Sequence, residues 1–395
     1  MTVATQTRRP SRLRGDSMAA SAAIDFSLLL VMALLIGLGL VMVASASLSI
    51  AEHQTGNPYY FLLRQLSLLL VALVAAYLCF QVPLSVWERG APWLLVVAFV
   101  LLILVLLPGV GVAVNGARRW IDLVVFRLQP SEVAKLAALI YLAGYLKHHQ
   151  EKLTGFVCGS VKPLAVFAAF AILLLLEPDF GSVVVLAASM FALMFLAGVS
   201  LYQFVMVLAL GGASLAALAV YSPYRLARLT SFMDPWQDPF NSGFQLVQAL
   251  IAFGRGGWLG AGLGDGVQKL SFLPEAHTDF LFAVMAEELG LIAVLIVILL
   301  FGYLVLRCFY VAKQCLLVSM PFAAYMVYGI AMMLGVQAFI NIGVNMGVLP
   351  TKGLTLPLMS YGGSSILVTC VCCALILRAD YEMRQQRFQI KQRQW

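Results

Sequence analysis

Charge is what this 395-residue sequence has least of: Asp, Glu, Lys and Arg make up 11% of it, against 62% apolar residues. A soluble chain of this length would suggest two or three domains. A mean hydropathy of +0.95 and repeated long apolar runs exclude that and indicate an integral membrane protein. Short alternating strands, the mark of an outer-membrane barrel, are missing too. No small-residue cleavage site clearly follows the first apolar run, which is also too long for a cleavable signal peptide. None of the seven cysteines (Cys79, Cys158, Cys308, Cys315, Cys370, Cys372, Cys373) falls in a segment read as an outer loop, so there is no disulfide framework. The cluster Cys370, Cys372 and Cys373 lies in an apolar run without histidine or acid partners, as small buried hydrophobes do, rather than metal ligands.

What is present is a series of spans. A helix needs about 20 apolar residues to cross bilayer hydrocarbon, and ten segments qualify: 24–47, 62–82, 91–108, 131–147, 163–177, 180–198, 201–221, 280–306, 317–345 and 357–378. The expected fold is therefore all-α and polytopic, with about ten transmembrane helices. A basic tail (1–23) precedes the membrane domain (24–378), and a second tail (379–395) follows it. With both termini in the cytoplasm, fifteen of the 25 Lys and Arg residues fall on inner segments and eight on outer ones. The net charge of +7 is thus mostly a topology signal, and nucleic acid is a poor partner.

The outer side carries the unusual segments. Residues 222–279 form a long loop between the seventh and eighth spans, rich in Phe, Trp, Leu and Gly rather than in charge. That composition argues against disorder and for a loop lying on or dipping into the interface. Within it "DPWQDPF" reads as a turn, with Asp234 and Asp238 each before a proline. "GRGGWLGAGLGDG" holds seven glycines in thirteen residues. It suits a hinge or close backbone packing better than a nucleotide loop, since no strand precedes it; diphosphate contact is the minority alternative.

Another outer loop contains "NGARRWIDLVVFRLQPSEVAKLA". Arg118 and Arg119 run against the inside bias, either as a solvated pair or as a site for an anionic headgroup beside Trp120. Pro130 and Ser131 open the fourth span, where Glu132 and Lys135 share a helix face and can pair. On physical grounds that pair is open between a structural ion pair and a substrate contact. "EPDFG" (residues 177–181) makes a tight turn in which Asp179 can cap the sixth helix. "NMGVLPTKGLTLPLMSYGGSS" (345–365) reads as a broken helix lining a cavity, its hydroxyls, Ser364 among them, able to satisfy freed backbone groups. Last, "LPEAHTDFLFAVMAEE" (273–288) gathers Glu275, His277, Asp279, Glu287 and Glu288 at the mouth of an apolar span.

Five motifs in order, "NGARRWI", "QPSEVAKLA", "EPDFG", "LPEAHTDFLFAVMAEELG" and "LPTKGLTLPLMSYGGSS", resemble the SEDS family (shape, elongation, division and sporulation) over nearly all of the chain but its tails. "PTKGLTLPL" and the basic N-terminal tail look more like its division branch than its elongation branch. The resemblance implies a ten-helix polymerase of the bacterial cell wall in the cytoplasmic (inner) membrane. Such proteins join lipid II units into glycan strands on the outer face, with a class B penicillin-binding protein and other division-machinery membrane proteins as partners. It also implies that Asp279, the aspartate of "TDF", is the essential residue, and that Glu132 and Lys135 of the "PSExxK" pattern matter.

Chemistry supports this reading. Lipid II leaves behind a lipid diphosphate, a stable anion needing no general acid, whereas glycosidases expel an alcohol and need two carboxylates. One base should suffice to take the proton of the acceptor 4-hydroxyl, and a single displacement inverts the anomeric carbon. A helix begun at Pro274 would set Glu275 and Asp279 four apart on one face, with burial and neighbouring acids raising the pKa of Asp279. Glu287, about 12 Å deeper, reads with Glu288 as a packing partner. Favourable helix-start acids are the simpler account of Glu275 and Asp279. Cations for the diphosphate are Arg118, Arg119, Lys135, Arg228 and Lys269, or a divalent ion, for which no ligand spacing is evident. His277 is open between such an ion and a loop hydrogen bond. The main alternative function is a flippase for lipid II, and a third is a division scaffold without activity.

Overall fold

The computed structural model describes residues 24–393 apart from 115–116, 124–126, 221–231, 242, 271 and 352. Helix α1 (Phe26–Thr55) begins where the Asp25 carboxylate accepts from the amides of Ser27 and Leu28. α2 (Tyr60–Gln81) and α3 (Leu84–Leu106) follow, and both leave large apolar side chains exposed, among them Leu70, Tyr77, Trp93 and Val97. Such rows suit lipid contact, because hydrocarbon imposes no penalty on them.

A three-stranded antiparallel sheet comes next: β1 (Gly111–Val114), β2 (Ala117–Asp122) and β3 (Arg127–Leu128). It stands where the sequence reading had only a loop, although Asn115-Gly116 between alternating residues is a hairpin signal. α4 (Pro130–His148) is buried along nearly its whole length, with Glu132 and Lys135 in its first turns. α5 (Lys162–Leu176), α6 (Phe180–Leu196) and α7 (Leu201–Val220) lead to the long loop.

Among the described residues that loop contains a helix of its own, α8 (Phe244–Gly256). Its Leu246, Val247, Ala249 and Ala252 are buried, and it packs on α9 (Leu281–Leu317). α10 (Pro321–Asn345) is the central helix, packed against α4, α6 and α9. α11 (Gly363–Arg393) packs chiefly on α2 and continues as helix through residues 379–393, the stretch read as a tail.

Among the described residues seven helices are long and apolar enough to cross a membrane, and α6 and the first part of α7 are shorter apolar helices. With the polar but buried α4 they make the ten expected segments. The start of α1 meets α9 and α11: Asp25, before α1, pairs with Arg307 at 2.7 Å and with Arg384 at 3.5 Å, and its backbone amide donates to Asp380 on α11.

α9 is broken at Gly290 (φ 75°, ψ −175°). The glycine-rich stretch laces the break. Ala261 and Gly262 donate to the carbonyls of Glu287 and Glu288, while Leu291 and Ile292 donate to those of Gly257 and Trp258. A Cβ on Gly260 would stand 2.1 Å from the Glu288 carbonyl oxygen, so only glycine permits this approach. Backbone groups freed inside a membrane span must be satisfied within the protein, and this segment satisfies them. Close backbone packing is thus its role in the fold.

Candidate functional site

The outer motifs converge around the start of α9. Helix formation begins at Leu281, not at Pro274 as expected, because the chain turns at Glu275, whose φ is 57°. Glu275 and Asp279 therefore do not share a helix face. The Glu275 carbonyl accepts from Thr278 and Phe280, closing the turn, and its exposed carboxylate accepts from the Thr278 hydroxyl at 2.8 Å. His277 packs at a tilt among aromatics, its ring centroid 4.8 Å from Phe61 and 5.4 Å from Tyr361. Burial pushes its pKa below the usual value, with the Glu275 charge opposing, so the ring is a neutral packing element.

Asp279 is half-buried at the end of this turn. Its backbone carbonyl accepts from the side-chain amides of Asn341 at 2.8 Å and Asn345 at 3.0 Å. Its Oδ2 lies so close to Gly353 that a Cβ there would be 3.0 Å away. Within 345–365, expected as a broken helix, residues 346–351 and 353–362 are irregular, with Leu354, Leu356, Leu358, Met359 and Ser360 buried. Two consecutive carbonyls in it are held by α10: Leu354 accepts from Asn341 at 2.6 Å and Thr355 from Gln337 at 3.0 Å. Gln337, Asn341 and Asn345 are four apart and share one face. This amide row went unseen in the sequence because each is a lone polar residue in an apolar run; their common spacing was the available signal.

Lys135 is wholly buried, donating to Glu132 at 2.8 Å and to the Gln337 side-chain oxygen at 2.9 Å. An ammonium so enclosed is not open to a diphosphate, and the Glu132–Lys135 pair is a structural ion pair. Lys269 is likewise buried, 2.6 Å from Glu288 and 2.9 Å from the Ser45 hydroxyl, which removes it from the substrate cations. Glu287 accepts from the amides of Val267 and Gln268. The buried Ser364 hydroxyl accepts from the Gln129 amide and donates to the Arg127 carbonyl, tying β3 to α11.

Arg119 and Arg118 separate by strand alternation. Arg119 donates to the carbonyls of Glu177 at 3.1 Å and Pro178 at 2.6 Å, clamping the "EPDFG" turn, while Arg118 is exposed. Asp179 caps α6, accepting from the amide and hydroxyl of Ser182. Glu177 is fully buried and neither carboxylate oxygen has a hydrogen-bond partner. Burial, reinforced by Asp179 and opposed by Arg119, pushes its pKa up to about 8. Arg228 lies outside the described residues. Among the described residues no three His, Cys, Asp or Glu side chains converge as a metal site.

What results is a polar site at one end of an apolar bundle: one half-buried carboxylate held through its backbone, with buried ion pairs behind it, while Arg118 stands exposed on β2. That arrangement suits proton abstraction beside an anionic leaving group.

Comparisons with known proteins identify the family. The chain is 57% identical over 350 residues to the "Probable peptidoglycan glycosyltransferase FtsW" of Nitrosococcus halophilus, covering 89% of this chain and 90% of the relative. It is 53% identical to the protein of the same name from Halorhodospira halophila, over 95% of both. Among solved structures it matches a chain of a peptidoglycan synthase complex that coordinates polymerization and crosslinking (TM-score 0.74, 31% identity, 91% of this chain and 98% of that one). It also matches the rod shape determining protein RodA of Thermus thermophilus (TM-score 0.66, 29% identity, 91% and 97%). The family model of FtsW, RodA and SpoVE, described as cell cycle proteins, matches residues 26–385, and this chain belongs to that family.

Proposed function

We propose that this protein is a peptidoglycan glycosyltransferase of the division branch, which polymerises lipid II at the outer face of the cytoplasmic membrane. The observation that carries the reading is the placement of Asp279: a half-buried carboxylate at the mouth of the bundle, fixed through its own carbonyl by Asn341 and Asn345. Asp279 takes the proton from the acceptor 4-hydroxyl as that oxygen attacks the anomeric carbon of the donor. The C–O bond to the lipid diphosphate breaks, the configuration inverts, and the diphosphate leaves as an anion.

Of the cations expected for that anion, Arg118 is exposed and Arg228 remains a candidate, while Lys135, Lys269 and Arg119 have other partners. The described residues do not form a metal-ligand set, so no step is assigned to a bound ion. Septal location, a class B penicillin-binding partner and cytoplasmic termini belong to the same proposal. The named relatives, the synthase-complex neighbour and the contact between the start of α1 and the last part of α11 support it.

The test is polymerisation of labelled lipid II by the purified protein with its penicillin-binding partner. Glycan strands from the wild type support the proposal. Lipid II crossing liposome membranes without any polymer would favour the flippase reading instead.

A further inference from the structure

We infer that the amide row of α10, Gln337, Asn341 and Asn345, is a positioning device that sets the Asp279 carboxylate and links it to the buried Glu132–Lys135 pair. The inference rests on the proposed reading of Asp279 as the base. All three amides are nearly inaccessible, at 3%, 2% and 0% exposure. Burying a side-chain amide is unfavourable unless its donors and acceptor are engaged.

Here each is engaged across elements. Asn345 accepts from the Ala283 amide at 3.0 Å in the first turn of α9, an N–H shared with the Phe280 carbonyl. Its own amide hydrogens go to the Asp279 carbonyl at 3.0 Å and the Asn341 carbonyl at 2.9 Å. Asn341 donates to Asp279 at 2.8 Å and to Leu354 at 2.6 Å. Both lone pairs of the Asp279 carbonyl are thereby taken, fixing the residue's backbone from α10.

The second arm starts at Lys135. An ammonium has only donors, so the Gln337 side-chain oxygen accepts from it, and the Gln337 nitrogen must then point away, toward the Thr355 carbonyl. Leu354 and Thr355 are thus pinned side by side just beyond Gly353, where an added Cβ would stand 3.0 Å from the Asp279 Oδ2. The row holds Asp279 on two sides: by its carbonyl, and by the segment against which its carboxylate rests. Glu132 and Lys135 then affect turnover through Gln337 and Thr355, without touching the donor. Misplacement of a reacting group by about 1 Å can slow a reaction about a hundredfold.

The experiment uses the full chain with its penicillin-binding partner, comparing Asn341→Ala, Asn345→Ala, Gln337→Ala and Gln337→Glu. Asp25→Ala serves as a control that loses a buried ion pair at the opposite end. Polymerisation is expressed per folded molecule, with kcat, KM for lipid II and the pH dependence of kcat measured separately. The row variants should lose at least about tenfold in kcat at near-constant KM and displace the ascending limb of the pH profile. Gln337→Glu, which keeps an acceptor for Lys135 but loses the donor to the Thr355 carbonyl, should not recover the loss of Gln337→Ala. Asp25→Ala should lose thermal stability and keep its kcat and pH profile. Wild-type kcat and an unmoved pH limb in Asn341→Ala and Asn345→Ala, with Asp279→Asn inactive, would overturn the positioning role alone. Wild-type polymerisation by Asp279→Asn would overturn the base and the positioning role together.

Discussion

The ammonium of Lys269 lies 2.6 Å from the Glu288 carboxylate inside the bend of α9, and Ser45 of α1 bridges the two. Glu287, one residue earlier, accepts the amides of Val267 and Gln268. Two acids deep in an apolar span thus fasten the end of the long outer loop. Carboxylates are tolerated at such depth because each has charged or backbone donors around it.

That arrangement predicts an asymmetry. Lys269→Met leaves Glu288 buried without its cation, and removing one partner of a buried pair costs about 3–5 kcal/mol. Thermal unfolding in detergent should show a large fall in Tm. The double change Lys269→Met with Glu288→Leu should recover much of it, because no uncompensated charge remains. Equal Tm values for the single and double variants would contradict the pairing.

Gly260→Ala should unlace the glycine-rich segment from α9. The new Cβ would meet the Glu288 carbonyl at 2.1 Å, and the residue's φ of 81° disfavours a side chain as well. Limited proteolysis should cut the variant within 256–270 at conditions where the wild type resists. Unchanged resistance would mean the contact is not required.

Glu177 gives a pH dependence whose sign can be worked out. Its folded pKa is about 8, against an ordinary value of 4.5. Between these pH values the folded state therefore holds a proton that the unfolded chain has lost. Stability consequently falls as pH rises from about 4.5 to about 8 and levels off above. Glu177→Gln mimics the protonated acid at every pH. Its Tm should match the wild type near pH 5 and exceed it at pH 8.5, with the difference growing through neutrality. Parallel Tm curves would contradict a buried neutral Glu177.

Gly353→Ala probes the wall beside the base. A Cβ at 3.0 Å from the Asp279 Oδ2 forces a shift of a few tenths of an ångström. Polymerisation should drop about tenfold in kcat with KM for lipid II little changed. A rise in KM with kcat intact would instead assign Gly353 to substrate binding.

The spans were legible because hydropathy is a sum over about 20 residues, and single polar positions do not erase it. The same averaging hid Gln337, Asn341 and Asn345, lone polar residues in an apolar helix. α8 was missed inside a loop read for its glycines and aromatics, although Leu246, Val247, Ala249 and Ala252 recur at helical spacing. The sheet of residues 111–128 was signalled only by Asn115-Gly116, and its strands are two to six residues long. Asp279 was singled out by motif, yet its setting was misjudged. A positive φ at Glu275 is a backbone choice that residue type does not announce, and it moved the helix start to Leu281. Lys135, Lys269 and Ser364 were chosen for chemical type; only three-dimensional structure assigns each its partner.

The central claim is that Asp279 is the base of a glycosyl transfer. Its most direct test is lipid II polymerisation by Asp279→Asn, which keeps the shape of the side chain and the backbone carbonyl held by Asn341 and Asn345. The account predicts a folded protein that still binds its penicillin-binding partner and makes no glycan strands. Strands formed at the wild-type rate would contradict it.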